Sequence, residues 1–374
     1  MQSSNKKSVK WGILGTGSVA NQFAEGLTYV SGASLHAVAG RNYQNTIKFA
    51  NKHKVKHSYQ TIEELLDSSI DIVYIATPNH LHQQQCILAL NKKVPVLCEK
   101  PLATNASAVR EIMQAATDNS VFCMEAMWMR FIPAIQEIKK LIDDGAIGKP
   151  ILMNASFGIA FDEAIKSKYE KGMGGGALLD LGIYPISLAC YLFGYPERVK
   201  SEVINSPSGV DGTSALILRH QNNIASSIFT SISTYTDAAV TIMGERGVIE
   251  VNSPIYRPYA IKVKKFEKTR LSDANAPYTV KDTIKSTIKK SEILQAIAFK
   301  MMQCIATFSR LRGGDIIKFS GNGYNYEAEE VMECLAQGKL ESSVMPLNAS
   351  LEASKIIDKI LLDSETCTNG KSSL

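Results

Sequence analysis

Cysteine pairs and long apolar runs are both missing from this 374-residue sequence, and each absence excludes a class of protein. The seven cysteines are odd in number and scattered, and none belongs to a CxxC motif. This argues against a disulfide framework or a zinc site and favours reduced thiols. No apolar run reaches the ~18 residues of a membrane helix. The polar segment Met1–Ser8 lacks the apolar core of a secretion signal, so we expect a cytoplasmic protein.

Charge is balanced outside one segment of the chain. There are 41 lysines and arginines against 36 acidic residues, a formal net charge of +5. Residues 261–300 hold ten basic and four acidic side chains, or +6, so the remainder sums to −1. The helix-like stretch Lys281–Arg312 could contact a lipid or nucleic-acid surface, but the favoured interpretation is a solvated face on a lid or dimer-forming helix. We therefore expect no nucleic-acid partner and no membrane span.

The first third of the chain alternates between apolar runs and helical patterns. The predicted strands are Val9–Gly15, Leu35–Gly40, Asp71–Ala76, Val94–Lys100 and Val121–Met127. The predicted helices are Gly17–Val30, Tyr43–Lys52, Leu81–Leu90 and Asn105–Asp118. This alternation predicts a parallel sheet covered on both faces by helices.

Successive strand patterns dominate the chain after about Phe131. One helix, Gly176–Phe193, precedes predicted strands at Glu197–Asn205, Thr213–His220, Ile224–Ser233, Ala239–Met243 and Gly247–Val251. Three further helices are predicted at Ile284–Leu311, Tyr324–Gln337 and Asn348–Leu362. The pattern predicts an α/β domain followed by a second α/β domain with an open, mostly antiparallel sheet.

A glycine-containing turn follows the first strand. In Gly15-Thr16-Gly17-Ser18-Val19, glycines allow a tight turn, and the next helix supplies N–H donors, as a dinucleotide pyrophosphate requires. A plain strand–helix turn is the alternative. The second strand ends in Gly40-Arg41-Asn42 without the acid that would bind the ribose of NAD. Unless Arg41 is merely a surface arginine, this favours NADP(H).

Two further motifs carry titratable side chains. Glu99-Lys100-Pro101 ends an apolar strand, at the edge where open α/β sheets bind ligands. Asp180 and Tyr184 follow three glycines, Gly174–Gly176, and share one helical face. The alternatives are an unremarkable strand end and a buried tyrosine bonded to a helical acid.

Together these motifs, with Ala76-Thr77-Pro78-Asn79 and His82, resemble the Gfo/Idh/MocA oxidoreductases. Tyrosine at position 184, the segment Glu125–Phe131, and Glu341-Ser342 with Met345-Pro346-Leu347 are similar to the branch of dimeric dihydrodiol dehydrogenase and glucose-fructose oxidoreductase. The basic segment fits none of the family motifs. The resemblance implies an NADP-binding Rossmann domain over residues 1–127 and a substrate-binding and oligomerisation domain over 128–363. The latter includes a basic helical insert at about 262–318, and a disordered tail follows at 364–374.

The resemblance also implies residue roles. Tyr184 would be the general acid or base, with Lys100 lowering its pKa from about 10, and Asp180 orienting Lys100 or a substrate hydroxyl. A sugar, polyol or dihydrodiol would be the substrate of an NADP(H)-dependent enzyme acting on CH–OH groups, in a homodimer or homotetramer. The cofactor-binding residues would be Gly15, Thr16, Gly17, Ser18, Val19, Arg41, Asn42, Thr77, Pro78, Asn79, His82, Glu99 and Lys100. The substrate-binding residues would be Glu125, Trp128, Arg130 and Phe157.

Two alternatives remain open. A nucleotide-sugar ketoreductase would share the mechanism, with Arg130 or the basic insert holding a diphosphate. A non-catalytic NADP-binding regulator would keep the fold without turnover. The six histidines show no metal-binding spacing, so we expect no metal site.

Overall fold

The computed structural model describes residues 8–266 and 315–369. Most of the basic insert, including the helix predicted at Ile284–Leu311, lies outside these residues. The two ends of that insert are described, and both are strands rather than helix: β13 (Ala260–Lys265) and β14 (Asp315–Ile316) pair with each other.

A six-stranded parallel sheet forms the N-terminal part of the molecule. Its order, β3-β2-β1-β4-β5-β6, is that of a Rossmann fold. Its strands are β1 (Val9–Leu14), β2 (Ala33–Ala39), β3 (His57–Tyr59), β4 (Ile72–Ile75), β5 (Val96–Glu99) and β6 (Cys123–Ala126). Its helices are α1 (Ser18–Leu27), α2 (Tyr43–His53), α3 (Ile62–Leu66), α4 (His82–Asn91) and α5 (Ala106–Asn119). The predicted parallel sheet is confirmed.

Both faces of this sheet are buried, which explains its nearly continuous apolar strands. Ile72 and Tyr74 of β4 join the apolar cluster under α1 and α2. Val73 and Ile75 join the cluster under α4 and α5. Local sequence starts several of the helices: Asn105 caps α5, and Thr61 with Glu64 forms a capping box that begins α3.

An eight-stranded mixed sheet follows, in the order β14-β13-β12-β11-β7-β10-β9-β8. Its further strands are β7 (Pro150–Gly158), β8 (Arg198–Asn205), β9 (Asp211–Arg219), β10 (Ala225–Ser231), β11 (Val240–Gly244) and β12 (Gly247–Val251). The pairing of β7 with β10 is parallel and the other pairings are antiparallel, as predicted for a mostly antiparallel sheet.

The central strand β7 was not predicted, although its alternating buried Met153, Ala155 and Phe157 carry the signal of a strand. It separates two antiparallel groups that the sequence suggested were one meander. The helices α6 (Pro133–Asp143), α7 (Lys166–Tyr169) and α8 (Ile183–Phe193) flank this sheet along the chain.

The last two described helices return to the first sheet. They are α9 (Tyr324–Ala336) and α10 (Leu347–Asn369). Gly26 of α1 packs against Tyr324, and Asp358 of α10 accepts a hydrogen bond from the Ala106 N–H at 2.9 Å. A disordered tail was predicted from Ser364, but α10 continues through Asn369, so that prediction is wrong for residues 364–369.

One segment of the described chain is long and apolar enough to cross a membrane. It is Lys171–Phe193, with a mean hydropathy of 1.5 over its most apolar window. Because 89% of that window is buried inside the fold, the segment has the character of a core helix. It carries Asp180 and Tyr184 between the two sheets.

Candidate active site

The candidate site lies at the carboxyl edge of the parallel sheet. The strand order reverses direction between β1 and β4, and open α/β sheets bind ligands in the crevice at such a point. The loops that follow β1, β4 and β5 carry most of the predicted cofactor residues. The segment from β7 to α8 brings Asp180 and Tyr184 to the same edge.

The turn after β1 fits a dinucleotide pyrophosphate. Gly15 has φ +116°, and a Cβ atom there would collide with the Ala76 carbonyl oxygen, so only glycine lets the two loops approach. Nothing lies within 4 Å of a Cβ atom placed on Gly17. Helix α1 has neither a side-chain cap nor an acid in its first turn, so its free N–H groups can receive an anion beside Thr16, Ser18 and Val19.

The end of β2 presents Arg41 as an exposed side chain. Its neighbour Asn42 caps α2 by accepting a hydrogen bond from the Asn45 N–H at 3.1 Å. Gly40 lies against Thr46 and Thr16, whose side chains would contact a Cβ atom at 2.8 and 3.1 Å. Asn42 therefore shapes the turn, whereas Arg41 can face a ligand.

The loop after β4 is braced by buried polar contacts. Both ring nitrogens of His82 lie 2.8 Å from carbonyl oxygens, those of Pro101 and Thr77, and the side chain is fully buried. His82, which was predicted to bind the cofactor, thus joins the loops after β4 and β5 through both ring nitrogens. The side chain of Asn79, which follows Pro78, donates to the Gly174 carbonyl at 3.2 Å.

Lys100, Asp180 and Tyr184 meet as predicted. The Lys100 Nζ donates to the main-chain carbonyl of Asp180 at 2.7 Å and lies 3.3 Å from its Oδ1. The same Nζ is 4.9 Å from the centroid of the Tyr184 ring. Asp180 lies within a π-helical turn, Leu178–Gly182, a local departure from α-helix that is frequent at functional sites.

Electrostatics in this cluster differ from the prediction in one respect. Burial raises the pKa of Tyr184, and Lys100 lowers it only in part, while Glu99 and Asp180 raise it further. Burial alone would lower the pKa of Lys100, but Tyr184, Asp180 and Glu99 raise it above its ordinary value. Lys100 is therefore a cation and lowers the Tyr184 pKa as predicted, but burial outweighs this effect because the phenol is only 8% exposed.

Glu99 belongs to a buried carboxyl pair behind Lys100. It accepts hydrogen bonds from the Tyr74 hydroxyl and, at 3.2 Å, from the Lys100 main-chain N–H. Burial raises the pKa of Glu99 to about 7, although Tyr74 and Lys100 oppose the shift. Glu327 of α9 is fully buried, and neither of its carboxyl oxygens has a hydrogen-bond partner among the described residues. Sequence reasoning missed Glu327 because nothing local marks a helical glutamate as buried.

Aromatic side chains form one wall of the site. Trp128 donates to the Tyr184 hydroxyl at 3.3 Å, and Phe157 meets the Tyr184 ring edge-on at 5.6 Å between centroids. Trp128 and Phe157 were predicted as substrate residues. Tyr324 stacks on Trp128 at 4.6 Å, and Tyr256 lies 5.3 Å from Phe157. These two tyrosines were missed because they come from distant parts of the chain.

Comparison with known proteins places the chain in a family. Residues 9–127 match an oxidoreductase family model with an NAD-binding Rossmann fold, and residues 135–250 match the GFO/IDH/MocA C-terminal domain. Trans-1,2-dihydrobenzene-1,2-diol dehydrogenase from Xenopus tropicalis is 30% identical over 357 residues, which cover 94% of this chain and 97% of that protein. The chain belongs to the Gfo/Idh/MocA oxidoreductases. The resemblance predicted from its motifs is confirmed.

Solved structures share the fold. Aldose-aldose oxidoreductase from Caulobacter crescentus, complexed with glycerol, has a TM-score of 0.78 at 18% identity. Levoglucosan dehydrogenase in complex with NADH and levoglucosan has a TM-score of 0.77 at 20% identity. In each case 96% of this chain and 98% of the other are covered.

Two predicted substrate residues of this Gfo/Idh/MocA chain have other partners. The Arg130 guanidinium donates to the hydroxyl and carbonyl of Ser187, at 2.9 and 3.0 Å, and to the Val344 carbonyl at 3.1 Å. It is 3% exposed, so it ties α8 to the C-terminal segment and cannot hold a diphosphate. Glu125 is 1% exposed and accepts a hydrogen bond from the Leu102 N–H at 3.0 Å, which fixes the loop after Lys100.

One contact of Asp180 was not predicted. Its Oδ2 accepts a hydrogen bond from Lys168 of α7 at 2.6 Å. The position of Lys168 shortly before the three glycines was the only feature of the sequence that could have indicated this contact. Among residues 8–266 and 315–369, no group of three or more histidine, cysteine or acidic side chains is arranged to hold a metal ion.

Proposed function

We propose that this oxidoreductase uses NADP(H) to interconvert a CH–OH group and a carbonyl in a diol or sugar substrate. The arrangement of Tyr184 between Lys100, Asp180 and Trp128 carries the proposal, because it supplies a proton donor beside a fixed cation. The names of the Xenopus and Caulobacter proteins support a diol or sugar as the substrate class.

Proton transfer at the Tyr184 hydroxyl is the chemistry that these residues can perform. When bound, the nicotinamide supplies or accepts the hydride. In the reductive direction Tyr184 donates its proton to the oxygen on which negative charge develops, and in oxidation it removes that proton. The Lys100 ammonium stabilises the phenolate in either direction. Asp180 holds Lys100 at the 2.7 Å and 3.3 Å contacts and so fixes its distance from the ring.

The aromatic wall supports a ring-shaped substrate. Trp128 donates to the Tyr184 hydroxyl, and the rings of Phe157 and Tyr256 lie beside the Tyr184 ring. Such surfaces bind the apolar face of a sugar or a cyclic diol without a charged anchor. Because the Arg130 guanidinium is bonded to Ser187 and Val344, the nucleotide-sugar ketoreductase alternative would depend on the basic insert, most of which lies outside the described residues.

The Tyr184→Phe variant tests the mechanism. We expect turnover with diols and sugars to fall by about 10²–10⁴-fold, because the proton donor is gone, while the fluorescence titration with NADPH stays unchanged. Tyr195→Phe, which removes a hydroxyl beyond the end of α8, is the matched control and should keep wild-type turnover. If Tyr184→Phe retains its activity, Tyr184 is not the acid. Binding of NADPH by the wild type without turnover on any diol or sugar would favour the regulator alternative.

The cofactor preference rests on Arg41 and on the absence of an acid at the end of β2. We expect Arg41→Asp to reverse the preference, raising KM for NADPH by at least about tenfold and lowering KM for NADH. The exposed Lys48→Asp of α2 changes charge by the same amount nearby and should leave the ratio unaltered. A wild-type enzyme that prefers NADH would contradict this assignment.

A further inference from the structure

Lys168 is the strongest feature of the site without an assigned role. It lies on the short helix α7, between β7 and the glycine segment, and its side chain is only 25% exposed. Its Nζ is 2.6 Å from the Asp180 Oδ2 and 4.9 Å from the centroid of the Phe161 ring. Limited exposure together with these two contacts constrains the position of the ammonium group.

The main chain of the glycine segment packs against the main chain at Lys168. The Gly176 N–H donates to the Lys168 carbonyl at 2.9 Å, and a Cβ atom on Gly175 would lie 2.7 Å from that same oxygen. Tyr169, the next residue, bonds through its hydroxyl to the carbonyls of Phe161 and Ile232. The glycines let the main chain of α7 approach the π-helical turn closely.

Lys168 and Lys100 contact different carboxylate oxygens of Asp180, and at different distances. Lys168 takes Oδ2 at 2.6 Å, whereas Lys100 is 3.3 Å from Oδ1 and makes its shorter bond, 2.7 Å, to the main-chain carbonyl. Without Lys168, the carboxylate would be free to turn both oxygens onto Lys100. The Lys100 charge would then be neutralised where it now acts on Tyr184.

We propose that Lys168 is a positioning residue of the reaction, which holds the Asp180 carboxylate away from Lys100 so that the Lys100 ammonium serves the Tyr184 hydroxyl. This inference rests on the proposed function of Tyr184. In this proposal Lys168 acts through its contact with Asp180.

The charges around Tyr184 give the sign of the effect. The titratable groups that interact with it come from several elements: Glu99 and Lys100 at the end of β5, Asp180 in the π-helical turn, Tyr256 after β12, and Tyr324 on α9. Lys100 and Lys168 together lower the pKa of Asp180, against its burial. Removing Lys168 leaves one cation facing the carboxylates of Asp180 and Glu99, so the pKa of Tyr184 rises.

The Lys168→Met variant tests this through the pH profile of kcat/KM for diol or sugar oxidation. We expect the acidic limb, where Tyr184 must lose its proton, to move to higher pH by about one unit. At a given pH on that limb, kcat/KM of the variant is then about tenfold lower than that of the wild type, whereas the KM for NADP does not change. Lys168→Arg keeps the cation and should restore the wild-type profile. A simple structural role would lower activity at every pH without moving the limb.

Lys166→Met is the control, since Lys166 lies on the same helix, is 79% exposed and pairs with Glu170 at 3.7 Å. A wild-type profile in Lys168→Met, or an equal shift in Lys166→Met, would overturn the proposal. A crystal structure of Lys168→Met gives a readout without turnover. The Asp180 Oδ1 should lie closer to Lys100 than 3.3 Å, and an unmoved carboxylate would overturn the proposal. Absence of turnover in the wild type would instead refute the proposed function.

Discussion

At the scale of single residues, Glu327 is the most unusual side chain of the described core. Its carboxyl group is fully buried without a hydrogen-bond partner there, and its carboxylate form would be a buried, uncompensated charge. Burial and then Glu99 raise the pKa of Glu327 well above its ordinary value. Glu327 is therefore a neutral acid in the folded protein. The sequence around it does not indicate this state.

This burial makes stability depend on pH. A glutamate of the unfolded chain titrates near pH 4.5, so the stability that neutral Glu327 contributes is complete below that pH and is lost as pH rises toward its folded value. In Glu327→Gln the group cannot ionise. We expect the variant to gain stability relative to the wild type as pH increases above about 5, by up to about 1.4 kcal/mol per pH unit.

Urea denaturation of both proteins between pH 5 and about 8 measures the difference. Glu329→Gln, on the exposed face of the same helix, is the control and should follow the wild type throughout. A constant difference between Glu327→Gln and the wild type at every pH would show that Glu327 is already ionised in the folded protein.

At the scale of elements, the π-helical turn depends on Gly176 and Asp211. Asp211 accepts a hydrogen bond from the Leu178 N–H at 2.6 Å, and burial raises its pKa to about 7. Gly176 has φ +115°, and a Cβ atom there would collide with the Asp211 carboxylate. The carboxylate can cap the turn only because position 176 has no side chain.

We therefore expect Gly176→Ala to lower the free energy of unfolding by at least about 2 kcal/mol, through backbone strain and the displaced carboxylate. Turnover should fall as well, because the same turn carries Asp180. Chemical denaturation measures the stability. Gly172→Ala is the matched control, since nothing lies within 4 Å of its added methyl group. Equal stability of the two variants would show that the turn tolerates a side chain.

At the scale of the whole molecule, the second sheet leaves apolar side chains exposed on its outer face. Ile204, Ile217 and Phe229 belong to three adjacent strands and are 65%, 49% and 53% exposed. Polar side chains lie between them on this face, since Lys200 is paired with Ile217 and Glu202 with Ala215. Large exposed apolar side chains are candidates for a protein–protein interface. We predict that a second copy of the chain covers them in a homo-oligomer.

We expect the double variant Ile217→Lys, Phe229→Lys to be a monomer of 40.9 kDa by light scattering, while the wild type has at least twice that mass. Both side chains are exposed, so the unfolding free energy of the subunit should change little. Tyr29→Lys, at a 61% exposed position on the first domain, should leave the oligomer intact. A monomeric wild type would contradict the assignment of this face.

Sequence by itself determined the parallel sheet, the glycine turn and the meeting of Lys100, Asp180 and Tyr184. The sheet and the turn follow from local patterns, namely apolar periodicity and a turn that requires glycine, whereas the meeting of the three side chains was implied by the resemblance to the Gfo/Idh/MocA family. Only the tertiary structure decided which polar residues face the site. The side chains of Arg130, Glu125 and His82 bond to main-chain carbonyls, N–H groups and one hydroxyl. Tyr256, Tyr324 and Glu327 reach the site from elements distant in sequence, and Lys168 reaches it from α7, 12 residues before Asp180. Burial also determined the sign of the Tyr184 pKa shift, because desolvation depends on every element packed around a group and no short motif encodes it.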